Sequence, residues 1–274
     1  MSLASRNAEI DTWIAWSTPE ICPVRIRVPR FIPASQKSLE RIANEYIHLS
    51  DWTHVNMTRA YHAEFKGKLP YSILEYFDSL SVADLLRQSK HELSLFDLVC
   101  IGHDISTALK FVHKKGFVHT DLSTRIIRKK RKLWVLTECD QLTEVDTVLN
   151  DLNKSGHNKS FEAPEISDTK DARFAMDVYS LGKILYRVAT GNITDEYDLS
   201  LEKVIPRPLQ PISNIIAAML RVEPNNRPSM ERVQWEFKRL MSEGMLSDRD
   251  SSNSNAPINY KKQIVLNNLA NDIN

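Results

Sequence analysis

The sequence predicts an α+β protein of two lobes, a small β-rich lobe carrying one helix and a larger lobe that is mainly helical. Three observations carry this. Alternating apolar and polar runs crowd the segment up to residue 77, interrupted by one helical stripe. From Leu95 onward apolar residues recur instead at helical spacing. With 274 residues, 42% hydrophobic and 26% charged, the chain is long enough for two lobes with real cores.

The elements follow in order. Trp13-Ile14-Ala15-Trp16 and Val24-Arg25-Ile26-Arg27-Val28 read as a strand pair around a turn with Pro19 and Pro23. Ser35 or Ser38 caps a helix whose stripe is Leu39, Ile42, Ala43, Tyr46 and Leu49. Tyr71 to Phe77 reads as a buried strand that runs into a polar connector. Leu95 to Lys115 is an amphipathic helix stopped by Gly116. The polar stretch 141–162 reads as an exposed segment. Ala175 to Thr190 is apolar on most sides and closes at Gly191, as a buried helix does. Two more helices span Ile212 to Leu220 and Met230 to Met241. Beyond Leu246 the composition shifts to a Ser/Asn-rich linker. An apolar stripe at Ile264, Val265, Leu266, Leu269 and Ile273 then reads as a tail packed on its own domain or a docking segment. The expected division is 1–77, 78–245 and 246–274.

Composition excludes several classes. The net charge of +1 comes from 36 basic and 35 acidic side chains and gives no bulk pull toward nucleic acid or membranes. Cys22, Cys100 and Cys139 are far apart, which points to reduced thiols inside the cell rather than zinc or disulfides. Residues 1–12 have no apolar core of signal-peptide length. No apolar run is long enough to span a bilayer, which takes about 18 residues or more. Gly67 is the only glycine before residue 100, so a glycine-rich loop over nucleotide phosphates near the start is excluded in its usual form.

The chemistry concentrates between Val118 and Asp140. Val118-His119-Thr120-Asp121-Leu122-Ser123-Thr124-Arg125-Ile126 is followed, after a basic run Arg128 to Lys132, by Thr137-Glu138-Cys139-Asp140. Upstream stand Arg27, then Glu45 eighteen residues on, and Leu74-Glu75-Tyr76-Phe77. Downstream stand Ala163-Pro164-Glu165, Asp177-Val178-Tyr179-Ser180-Leu181-Gly182 and Asn226-Arg227-Pro228-Ser229. Together these ordered matches, over about residues 13 to 243, resemble a protein kinase domain with a reduced small lobe. Arg125 and the Asp177-Val178-Tyr179-Ser180 form lean toward its tyrosine-kinase-like branch.

The resemblance implies roles residue by residue. Asp121 falls at the catalytic base. Arg27, Glu45, Leu74, Glu75, Phe77 and Arg125 fall around the nucleotide, with Arg27 in place of a lysine and paired to Glu45. Glu138 falls at a metal ligand, and His119, Glu165, Asp177 and Arg227 at framing positions, with Arg227 expected to pair with Glu165. The departures are chemical. Ile126, five residues after Asp121, stands where the second magnesium ligand belongs and has no donor or acceptor. Glu138-Cys139-Asp140 replaces Asp-Phe-Gly, with Asp140 at the glycine. Thr120 replaces an arginine that receives a phosphorylated activation loop.

The expected function is that of a pseudokinase scaffold or allosteric partner, binding ATP weakly or not at all and magnesium as one ion or none. Its partner would be a protein, such as an active kinase or that kinase's substrate. The alternative is an atypical ATP-dependent kinase using Asp121 and Glu138. A third reading gives the basic run a nuclear-import or nucleic-acid role, against a solvated turn. The expected location is intracellular: the cytoplasm, with the nucleus as the alternative.

Overall fold

In the computed structural model, which describes residues 1–6, 9–88, 93–148, 159–167, 171, 173–191 and 210–242, the alternating run around Arg25 is the central strand of an antiparallel sheet. The strands are β1 (Ser2–Arg6), β2 (Ile10–Ser17), β3 (Cys22–Pro29), β4 (Ala60–Glu64) and β5 (Tyr71–Glu75), in the order β1-β2-β3-β5-β4. The small lobe is therefore fuller than the reduced one expected. The strands that escaped notice, β1 and β4, lie at the two edges. All five residues of β1 are exposed, so burial leaves no alternation in its sequence, and backbone pairing to β2 defines it instead.

Helix α1 (Gln36–Asp51) starts at Ser35, whose hydroxyl accepts from the Ser38 N–H. Its buried face is Ser38, Ile42, Glu45 and Leu49, set against β3, β4 and β5. A glutamate on that face is the first sign that the interior here is not simply apolar.

The large lobe holds α2 (Val82–Arg87), α3 (Leu95–Lys114), α4 (Phe174–Thr190), α5 (Gln210–Met219) and α6 (Met230–Ser242). Reciprocal capping boxes, Ser81 with Asp84 and Ser94 with Asp97, start α2 and α3. Gly191 closes α4 in the left-handed conformation, at φ 66°. Helices α3 and α6 approach so closely that a Cβ on Gly102 would lie 2.5 Å from the Phe237 ring.

Two small sheets lie at the junction: β6 (Phe117–Val118) pairs with β9 (Thr143–Glu144), and β7 (Ile127–Lys130) with β8 (Leu133–Leu136). The second is the basic hairpin. Arg131 and Lys132 project from its turn, but the other charges are engaged within the domain. Arg128 donates to the Ser79 carbonyl, Lys129 pairs with Asp97 at 2.9 Å and Lys130 with Glu75 at 2.5 Å. The polar stretch after residue 140 is not uniformly exposed. Gln141, Leu142 and Thr143 are buried, because Thr143 pairs with Val118 in the β6–β9 sheet, and Phe161 is buried as well. Residues 149–158 of that stretch, and the linker and apolar tail from residue 246, lie outside the described residues.

The lobes are stitched by backbone. Thr58 N–H donates to the Leu136 carbonyl at 2.8 Å and Leu136 N–H to the Asn56 carbonyl at 2.9 Å. One apolar cluster runs through both, from Leu49, Trp52 and Leu74 to Trp134, Leu136, Ile184 and Phe237. Among the described residues no helix is long and apolar enough to cross a membrane.

Candidate functional site: the cleft between the lobes

Side chains two apart on a strand share a face. In β3 this places Arg25 and Arg27 together on the side that meets α1 and the 137–140 segment. On α1, Arg41 and Glu45 are four apart and likewise share a face.

Glu45 is fully buried at 0% exposure, and an ionised carboxylate there requires partners. It has three. Arg27 Nη1 bonds Oε2, Arg25 Nη2 donates to Oε1 at 3.2 Å, and the Cys139 N–H donates to Oε1 at 3.2 Å. Arg27 is itself buried and donates from Nη2 to Asp140 Oδ2 at 2.9 Å. Asp140 also takes Arg41, with Nη2 at 2.6 Å and Nε at 2.9 Å. Burial alone would drive the Arg27 proton off, but Glu45 and Asp140 outweigh it and hold the guanidinium pKa well above its ordinary value. Burial would likewise raise the Asp140 carboxyl, yet Arg27 and Arg41 hold it far below the carboxylate range.

Arg25 spans the cleft. Its Nη2 donates to the Thr137 carbonyl at 2.5 Å, and Nη1 lies 3.6 Å from Glu138 Oε1. Beside it is a cavity of about 240 Å³ lined by β1, β2, the connector Glu75-Tyr76-Phe77, Thr137 and Glu138. Leu74 is fully buried under the sheet.

The loop before Glu138 is rigidly framed. Asp177 at the start of α4 accepts the His119 N–H at 2.8 Å, the Thr120 N–H at 3.1 Å and His113 Nε2 at 2.8 Å. That clamp holds Thr120 at φ 62°, a left-handed conformation that is costly for a β-branched residue. His119 Nε2 meets the Glu138 carbonyl at 2.8 Å, which assigns the proton to Nε2. Asp121 is half-buried and its N–H donates to the His119 carbonyl at 2.9 Å. Arg125 is exposed and stands apart from the arginine–carboxylate cluster. Farther out, Arg227 uses all five donors. Two go to Glu165 at 2.5 and 2.8 Å, and three to the carbonyls of Ala175, Arg221 and Val222.

Residues 24–237 match the family profile described as protein tyrosine and serine/threonine kinase. The chain belongs to that kinase family. Its curated relatives include a Wee1-like protein kinase of Arabidopsis thaliana, 27% identical over 187 residues, which covers 66% of this chain and 37% of that protein. Mitogen-activated protein kinase kinase kinase 9 of the same plant is 28% identical over 58% of this chain and 21% of its own length. Probable serine/threonine-protein kinase kinX of Dictyostelium discoideum is 23% identical over 80% of this chain and 21% of its own length. The aligned region thus spans little more than a third of these proteins at most.

A kinase works with divalent magnesium, which wants near-octahedral oxygen coordination at about 2.0–2.1 Å. The residues at those positions do not fit a magnesium pair. Ile126 is 6% exposed and packs in the apolar cluster with Leu122 and Cys139. Glu138 faces Arg25, and Asp140 is taken up by two guanidinium groups. Among the described residues no group of three or more His, Cys, Asp or Glu could hold a metal ion.

Sequence reading missed Arg25, Arg41 and the use of Asp140. The signals were present: the two-residue spacing of Arg25 and Arg27, and the four-residue spacing of Arg41 and Glu45. Nothing local announces that Asp140, a hundred-odd positions away, closes the network.

Proposed function

We propose that this kinase-family domain is a pseudokinase that acts by presenting its surface to a protein partner inside the cell, an active kinase or that kinase's substrate. The observation that carries the reading is the burial of Arg27 between Glu45 and Asp140. A triphosphate would have to displace Asp140 from a buried pair. Breaking such a pair costs about 3–5 kcal/mol. At about 1.4 kcal/mol per tenfold, the lower figure alone is about a hundredfold in affinity. The site is also electrically balanced: Arg25, Arg27 and Arg41 face Glu45, Glu138 and Asp140. ATP is then held weakly or not at all, and magnesium as a single ion at most. The framing by Asp177, His119 and Glu165–Arg227 supports a surface kept in one shape. The tyrosine-kinase-like branch is part of the same proposal, supported by Arg125 and the Asp177-Val178-Tyr179-Ser180 sequence.

One observation favours a second reading, an atypical kinase. Asp121 keeps its place in a loop clamped by Asp177, and phosphoryl transfer is largely positioning and electrostatics. Phosphotransfer from labelled ATP decides between them. The pseudokinase shows none above the Asp121→Ala control. Turnover that vanishes in that control establishes the enzyme instead.

A further inference from the structure

We propose that Arg25 is a built-in occupant of the cleft, filling the space where a nucleoside would lie and shutting it out independently of the phosphate-end chemistry. The inference deepens the pseudokinase reading and rests on it.

Three observations converge. Arg25 starts in the roof, on β3, and reaches the floor, where its head group donates to the Thr137 carbonyl at 2.5 Å and approaches Glu138 to 3.6 Å. The same head group bonds Glu45 on α1 at 3.2 Å, so it is held from two directions and its side chain is only 11% exposed. What remains beside it is about 240 Å³. Pockets for small organic ligands run from about 300 to 1,000 Å³. The gap is bounded by Thr12 and Ile14 above and by Glu75 to Phe77 at the side, so it has the walls of a ligand site without the room.

The head group is also well chosen for the task. Its planar fork presents donors in fixed directions, which here meet the Thr137 carbonyl and the Glu45 carboxylate while the Glu138 carboxylate lies 3.6 Å away. The small-lobe sheet, α1 and the 137–138 segment are therefore tied together through one side chain.

The test uses adenosine as the probe, because it carries no phosphate and needs no metal. Binding to the full chain is measured by titration calorimetry for the wild type, Arg25→Ala and Arg25→Met. Arg25→Met keeps an apolar stem under the roof but removes the head group at Thr137 and Glu138, so it serves if Arg25→Ala fails to fold. The expected result is adenosine binding at least tenfold tighter in either folded variant than in the wild type. Wild-type affinity equal to that of the folded variants overturns the proposal, and so does a lack of binding by all of them. Failure of the pseudokinase reading shows separately, as wild-type phosphotransfer that depends on Asp121.

Discussion

Arg27 Nη2 and Asp140 Oδ2 meet at 2.9 Å with both side chains buried. They come from strand β3 and from the segment that follows β8, so the contact ties the small lobe to the floor of the cleft. Arg41 on α1 reaches the same carboxylate oxygen at 2.6 Å. One aspartate therefore fixes both the strand and the helix that frame the cleft. Such a network is poor evidence of net stability relative to an apolar core, but breaking it is expensive.

Asp140→Asn should lower unfolding stability by about 3–5 kcal/mol, because it leaves the buried Arg27 and the partly buried Arg41 short of a counter-charge. Urea denaturation reads this directly, and an unchanged midpoint would count against the network. The pH dependence has a definite sign. The folded Asp140 pKa is depressed, so its contribution is fully present above the unfolded carboxyl pKa of about 3.9 and fades as pH falls toward the folded value. The gap between wild type and Asp140→Asn should be constant from pH 5 to 8 and narrow on acidification below about pH 4.

His48 and His54 predict a second pH effect at higher pH. Burial lowers both pKa values. Glu144 and Asp51 oppose it at His48 without reversing it. His48 lies 4.5 Å from the Phe117 ring and His54 lies 5.1 Å from the Phe111 ring, contacts that suit neutral imidazoles. The unfolded chain binds these protons more readily, so stability is complete above about pH 6.5 and declines as pH falls through the depressed folded values. The melting temperature should drop between pH 7.5 and 5.5, and the drop should shrink in a His48→Gln, His54→Gln double variant.

The Glu165–Arg227 pair predicts a structural loss. Arg227→Ala abandons a buried carboxylate and three carbonyls, and should cost about 3–5 kcal/mol. Arg227→Lys keeps the charge but not the fork and should recover only part of it. Equal stability of the lysine variant and the wild type, by urea melts, would show that geometry does not matter there.

Gly102 sets the α3–α6 approach. Alanine favours a helix over glycine by about 1 kcal/mol. Against this, its Cβ would stand 2.5 Å from the fully buried Phe237 ring. Overpacking of that kind costs about 1–3 kcal/mol, so Gly102→Ala should be net destabilising, on the order of 1 kcal/mol. Adding Phe237→Leu should return part of the loss. A stabilised single variant would refute the close approach.

Much of this fold was legible because its elements obey local rules. The stripe from Leu39 to Leu49, the Leu95 helix stopped by Gly116, and the buried Phe174–Thr190 helix all follow from periodicity and punctuation. Strand β1 was not legible, since Ser2–Arg6 is exposed on every residue and is specified only by its pairing with β2. The cleft was half legible. Ile126 and Glu138 showed their departure from the family's metal-ligand residue types through their side chains alone. Asp140 appeared only as a lost glycine, because its role depends on two arginines about a hundred positions upstream that the folded chain brings to it.

The most direct test of the claim that Arg27 is no longer offered to phosphates is a melting-temperature titration of the purified chain with ATP, with and without magnesium. A ligand at about 100 Kd stabilises by roughly 2.7 kcal/mol, a shift that is easily read. The account predicts no magnesium-dependent rise at millimolar ATP. A saturable rise that requires magnesium and disappears in Glu138→Gln would contradict it.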